Sequence, residues 1–208
     1  MSGVRSRRRA PRSLALAAAL ALLAGCLSRP APPDRWWRLE LAAPAALPAP
    51  ALPGVLEVDR LRADGVAQGT ALVWRRDAAA PEVHTRRYDR WVDSPTLLLQ
   101  RQLAAGLRAA GLAREVVTPE LRIAADHRLG GNLVRLEELR GPGAPRVAVE
   151  IEIAITDERR SRVALQTTYL EEREIRGEGV EDVVLAYDAA LSAILARLVV
   201  DAAAAVPP

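Results

Sequence analysis

The sequence predicts a single α/β domain, and three features predict it. Residues Val147 to Ile155 alternate apolar and smaller or polar side chains without a miss, shorter strand candidates surround that run, and two helical stretches carry apolar stripes.

In chain order, Arg35 to Leu41 is the first strand candidate. Ala42 to Pro53 follows as an Ala/Pro loop whose prolines cannot donate to a central ladder. Gly54 to Leu61 reads as a strand, with Val55, Glu57 and Asp59 on one face and Leu56, Val58 and Arg60 on the other, entering a turn at Asp64-Gly65. Ala71 to Arg75 and Glu82 to Trp91 are two more strands, separated by a loop from Asp77 to Pro81.

The first helix starts at Asp93-Ser94-Pro95, where a capping residue precedes a proline at the first helical position. Leu99, Leu103, Gly106 and Ala110 recur at steps of three and four, Arg101 and Arg108 fall off that stripe, and Gly111 supplies the stop. Short strands are expected at Arg114 to Val117, Leu121 to Ala125 and Leu133 to Leu139. After the turn Gly141-Pro142-Gly143, Val147, Val149, Ile151, Ile153 and Ile155 form the clearest buried face. The polar stretch Asp157 to Arg162 turns the chain into a second strand, Val163 to Glu172, making a hairpin. The last helix, Val180 to Val200, carries Val184, Tyr187, Leu191, Ile194, Leu195 and Leu198 on one stripe and Glu181 and Asp182 in its first turn, where the dipole favours acids. A core-facing helix closing the domain explains it better than a groove-binding one.

Residues 1–25 stand outside this domain. Arg5, Arg7, Arg8, Arg9 and Arg12 form a charged start, and Ser13 to Leu23 form an uncharged apolar run too short for a bilayer, which takes about 20 residues. The run ends in Leu22-Leu23-Ala24-Gly25-Cys26, which resembles the bacterial lipoprotein signal. That resemblance implies a diacylglycerol on the Cys26 thiol, cleavage before it and acylation of the new amine. The competing reading is a plain signal with a chance cysteine; an exported chain with a single cysteine has no disulfide partner for it. Leu27 and Ser28 after the lipidated residue imply, by the same resemblance, sorting to the inner leaflet of the outer membrane. The expected organisation is a signal at 1–25, a lipidated tether at 26–35, the domain at 36–201 and a flexible C-terminal tail at 202–208. Eight residues from Leu27 to Asp34, three of them proline, reach only about 25 Å.

The formal charge of +3 belongs to the signal: removing its five arginines leaves about −2, which argues against nucleic acid as a partner. The chain has no phenylalanine, so Leu, Val, Ile and four tryptophans must supply the bulk of the core. Lysine is absent and alanine abundant, a pattern of coding bias rather than of selection for arginine forks. No second long apolar run is expected, leaving the lipid as the only hold on a membrane.

Chemistry is sparse. His84 and His127 belong to no metal-ligand spacing, and Ser28, Ser94, Ser161 and Ser192 occupy tether, cap, turn and helix settings without a GxSxG elbow. Gly130-Gly131 and Gly177-Glu178-Gly179 read as turns, and Glu137-Glu138 and Glu171-Glu172 as solvated strand faces. No enzyme, metal or catalytic set is expected. Trp36, Trp37, Tyr88 and Trp91 sit at the ends of elements, where they serve either as half-buried packing or as an interaction surface.

From Trp36 onward the order of features resembles the ABC-type transport auxiliary lipoprotein family, the PqiC-like lipoproteins that accompany MCE lipid-transfer systems. The residues that carry it are Arg35-Trp36-Trp37-Arg38-Leu39, Pro53-Gly54-Val55-Leu56-Glu57-Val58, Arg87-Tyr88-Asp89-Arg90-Trp91-Val92-Asp93-Ser94-Pro95, Leu133-Val134-Arg135-Leu136-Glu137-Glu138 and the strand ending in Thr156-Asp157. The chain departs from the pattern at His127 and Trp37, where tyrosine is usual. The resemblance implies a mixed sheet with helices packed on it and a non-catalytic role, with no cofactor beyond the diacylglycerol and N-acyl chain on Cys26. It also implies partners: an MCE-domain subunit, an ABC permease and ATPase, and the inner leaflet of the outer membrane, with a homo-oligomeric ring as one arrangement. An activator of a cell-envelope synthase is the alternative, and the short tether argues against it.

Overall fold

A computed structural model describes residues 31–205; Cys26, the signal at 1–25 and residues 206–208 lie outside the described residues. The elements are β1 (Arg35–Trp37), β2 (Leu52–Val58), β3 (Ala71–Arg75), β4 (His84–Trp91), α1 (Pro95–Ala109), β5 (Ala113–Val117), β6 (His127–Leu139), β7 (Arg146–Asp157), β8 (Arg162–Glu174) and α2 (Val180–Ala205). The expected α/β domain with a mixed sheet and helices is what forms.

Strand β6 is the spine of an eight-stranded, curled sheet. One of its edges pairs antiparallel with β7 from His127 to Leu139, and β7 pairs with β8 to complete the hairpin. The other edge is shared. Its first residues pair parallel with Leu56 to Val58 of β2, its last with Val73 to Arg75 of β3, and a bridge between Arg62 and Asn132 stands between. Strand β5 extends the β2 branch, and β4 then β1 extend the β3 branch.

Both helices pack on one face. Val147, Val149, Ile151, Ile153 and Ile155 are each no more than 2% exposed there, and burying each such side chain contributes about 1.5–3 kcal/mol. Helix α1 brings Leu99, Leu103 and Leu107, and α2 brings Tyr187, Leu191, Ile194, Leu195 and Leu198, to the same core. The helices meet at Gly106, where a Cβ would lie 2.3 Å from Leu195 Cδ2. Helix α2 is apolar and long enough to cross a membrane, with a mean hydropathy of 2.0, so a second apolar run does exist. Its stripe is spent on the core, where Ala190, Leu191, Ile194, Leu195 and Leu198 are buried.

The first strand is shorter than expected because the chain leaves the sheet after Trp37 and straps the helices. Gln102 of α1 donates to the Leu39 carbonyl and accepts from Leu41 N–H; Asp188 and Ser192 of α2 accept from Glu40 and Ala42 N–H. Leu47 and Ala51 N–H then reach the carbonyls of Ala110 and Leu112 at the end of α1. Strand β2 starts at Leu52 and tolerates Pro53 because a bulge separates Leu52 from Val55, with Gly54 at φ +83°.

Burial raises the Asp188 carboxyl to about 6, with the Glu40 carboxylate adding to the rise and the Glu40 N–H opposing it. The folded state therefore holds this proton more tightly than the unfolded chain. The stability it gives is complete below the ordinary carboxyl value of 3.8 and is lost as pH rises through about 6. Asp188→Asn keeps an acceptor for Glu40. It should flatten that dependence and raise the urea midpoint at about pH 8 more than at about pH 5, as equilibrium unfolding at the two pH values will show.

Four boundaries are corrected. Leu121 to Ala125 is no strand: Pro119–Leu121 forms a 3-10 turn and Arg122 adopts φ 53°, which breaks any ladder. Strand β6 begins at His127 rather than Leu133, because Gly130-Gly131 is mid-strand and not a turn. Arg35 stands in β1, where the first strand candidate had it, so the tether drawn at 26–35 runs one residue too far. Helix α2 continues through Ala205 with Ala202 1% exposed, so residues 202–205 are not a flexible tail.

Candidate functional site

Parallel pairing of β1 with β4 sets Trp36 beside Arg90 and Trp37 beside Trp91. The aromatic residues singled out from the sequence are thus brought to one sheet edge, but they do different things. Trp91 is 2% exposed and packs edge-on against Tyr187, so it is core and not surface. Trp37 is half-buried and donates its indole N–H to Asp89 Oδ1 at 3.0 Å, while Arg35 pairs with the same carboxylate at 2.8 Å. Tyr88 is half-buried under the Arg87 guanidinium. Trp36 alone is presented outward, 56% exposed.

The sheet face away from the helices forms an open polar trough of about 710 Å³, lined by Arg62, Arg128, Asn132, Glu152, Gln166 and Thr168 among others. Its floor crosses Gly130 and Gly131. A Cβ on Gly131 would lie 1.9 Å from the Glu152 carbonyl oxygen, so the glycine is there to let β7 approach. Arg128 is held by Glu57 at 2.7 Å and Asp59 at 3.3 Å, and Asn132 donates to Glu152 at 2.7 Å.

Of the four glutamates expected on solvated faces, Glu137 and Glu138 are buried. Glu137, 6% exposed, is clasped by Arg75 and Arg135; Glu138, 5% exposed, by Arg86 and Arg140. Glu171 binds Arg173 and Arg197, and only Glu172, with Arg146, stays substantially exposed. Several arginines therefore work as forks, whatever coding bias supplied them. Their partners are 52 and 62 residues away for Arg86 and Arg75, which local sequence could not reveal.

His127 is buried, and its Nδ1 bonds to no described residue. Beside it, hydrogen bonding from Val55 N–H, with the Arg159 charge, holds the Asp126 carboxyl below its usual range. His84 stacks on Trp74 at 4.1 Å, with Arg140 on the same indole. Ser94 accepts from Arg60, and Ser192 donates to the Asp188 carbonyl. No group of three or more potential metal ligands occurs among the described residues. What the arrangement offers is surfaces: an aromatic, basic edge and a polar trough.

A family model described as the ABC-type transport auxiliary lipoprotein component matches residues 37–199. The chain belongs to this family. The match runs from Trp37 in β1 to Val199 in α2, so β2 to β8 and α1 lie wholly inside it, with most of α2. The family is one of auxiliary transport components, and it places the protein at a membrane of the cell envelope, in association with an ABC transporter. Among solved structures, a DUF330-family protein from Xanthomonas campestris matches with TM-score 0.71 at 17% identity, over 80% of this chain and 93% of that one. A second crystal structure, of an uncharacterised protein, matches with TM-score 0.60 at 13% identity, over 85% and 100% of the two chains. These likenesses speak to the fold alone. No curated protein sequence matches.

Proposed function

We propose that this auxiliary lipoprotein is the outer-membrane end of an ABC transport system that carries MCE subunits. There it docks the assembly that moves lipids or other apolar solutes between the two membranes, without performing chemistry itself. A lipid cannot cross the aqueous periplasm unsheltered, because each exposed methylene costs about 0.8 kcal/mol; a sheltered route needs a fixed end. The observation that carries the reading is the coincidence in one chain of the auxiliary-lipoprotein domain at 37–199 and a lipoprotein-like signal ending at Cys26, with eight residues between it and β1. So short a tether holds the domain within about 25 Å of its anchor, which suits a docking platform and not a module that must reach across the cell wall.

The test is co-purification from crosslinked cells. The full-length protein should retain an MCE subunit through detergent washing. Absence of any MCE subunit with and without crosslinker would remove the docking role.

A further inference from the structure

We propose that the β1–β4 edge is a second membrane contact, with Trp36 seated among the headgroups of the anionic phospholipid surface to which Cys26 is anchored. This rests on Cys26 being lipidated.

Three observations point there. The first is position: the anchor is ten residues before Trp36, so even a fully extended chain keeps this edge within about 35 Å of the lipid, and a flexible one averages about half that. At that distance a contact too weak to bind from solution is presented at a high effective concentration. The second is the aromatic group: Trp36 is 56% exposed at the end of the domain the tether joins, while Trp37 and Trp91 on the same edge are held inside by Asp89 and Tyr187. An indole has an apolar body and one N–H, the combination that favours the membrane–water boundary.

The third is charge. Trp36 lies beside Arg90 in register, and Arg35 and Arg38 flank it in sequence. Asp34 and Asp89 answer Arg90 and Arg35, whereas Arg38 and Arg87 are exposed and pair with no carboxylate among the described residues. Arg38 just after β1 and Arg87 on β4, stacked over Tyr88, carry guanidiniums that match phosphate groups in fork geometry. Each basic residue near an anionic surface contributes about 1 kcal/mol, so the edge adds orientation rather than the bulk of the attachment.

The experiment uses the full-length lipidated protein in vesicles of phosphatidylethanolamine and phosphatidylglycerol with brominated acyl chains, read by tryptophan fluorescence. Bromolipid should quench part of the wild-type emission. Trp36→Phe should float with the vesicles equally well but lose most of the quenched component, with unchanged circular dichroism. Arg38→Gln with Arg87→Gln should lower the quenched fraction about twofold while leaving flotation intact.

Flotation of both proteins with equal quenching would overturn the edge contact and leave the anchor standing. Failure of the wild type to float would overturn the anchor and the edge contact together. Shielding of Trp36 from iodide in lipid-free detergent as protein concentration rises would assign the edge to a second copy and overturn the proposal.

Discussion

Cys26→Ser is expected to release a fully folded domain from the membrane. Among the described residues the buried core runs from Leu39 to Ala202, so the circular dichroism and unfolding midpoint should match the wild type. What disappears is the hydrophobic attachment. At about 0.8 kcal/mol per buried methylene, each long acyl chain contributes about 10 kcal/mol or more, and two chains make an anchor stable where one is reversible. No edge contact of a few kcal/mol can replace that. Fractionation of a two-membrane host should find the variant in the soluble periplasm, and transport supported by the system should fall to the level of a deletion. Undiminished transport by a soluble Cys26→Ser protein would mean that docking at the outer membrane is not this protein's role.

Gly131→Ala should be strongly damaging to the sheet. The added Cβ would sit 1.9 Å from the Glu152 carbonyl oxygen and 2.9 Å from its carbon, both backbone atoms that no rotamer change can move aside. The site is also the junction of the two branches: Gly131 accepts from Arg62 N–H at 2.9 Å, and Leu133 N–H reaches the Arg62 carbonyl at 2.7 Å. Separating β6 from β7 there loosens both pairings, so the cost should exceed the 1–3 kcal/mol usual for overpacking and reach about 4 kcal/mol. Gly130→Ala is the control. Its Cβ would meet nothing closer than Asp59 Oδ2 at 3.8 Å, and a strand prefers alanine to glycine, so stability should hold or rise slightly. Urea unfolding of the pair decides it; equal midpoints would show that the close approach carries no strain.

Much of this architecture was legible in the sequence because its cues are local. Strand β7 could be read from five apolar residues at a period of two, and α1 from Ser94-Pro95 at one end and Gly111 at the other; both stand where they were expected. The paired glycines of β6 misled for the same reason: next to each other they signal a turn, and only the β7 backbone across the ladder shows why a strand needs them. Proline and the left-handed Arg122 defeated the strand expected at 121–125, a local cue outweighed by apolar content.

The candidate surfaces divide along the same line. From the sequence, Trp36, Trp37, Tyr88 and Trp91 formed one undivided aromatic group; pairing of β1 with β4 and packing of α2 separated Trp91 as core from Trp36 as surface. Glu137 and Glu138 looked solvated until arginines from β3 and β4 closed on them.

By itself the sequence determined the family, the alternating face of β7 and the two helices, since each is written in neighbouring residues. The tertiary structure decided the forked pairing of β6, the burial of the glutamates, the reach of α2 to Ala205 and which tryptophan meets the solvent. Those depend on contacts between segments tens of residues apart, whose free energy exists only once the chain has closed on itself.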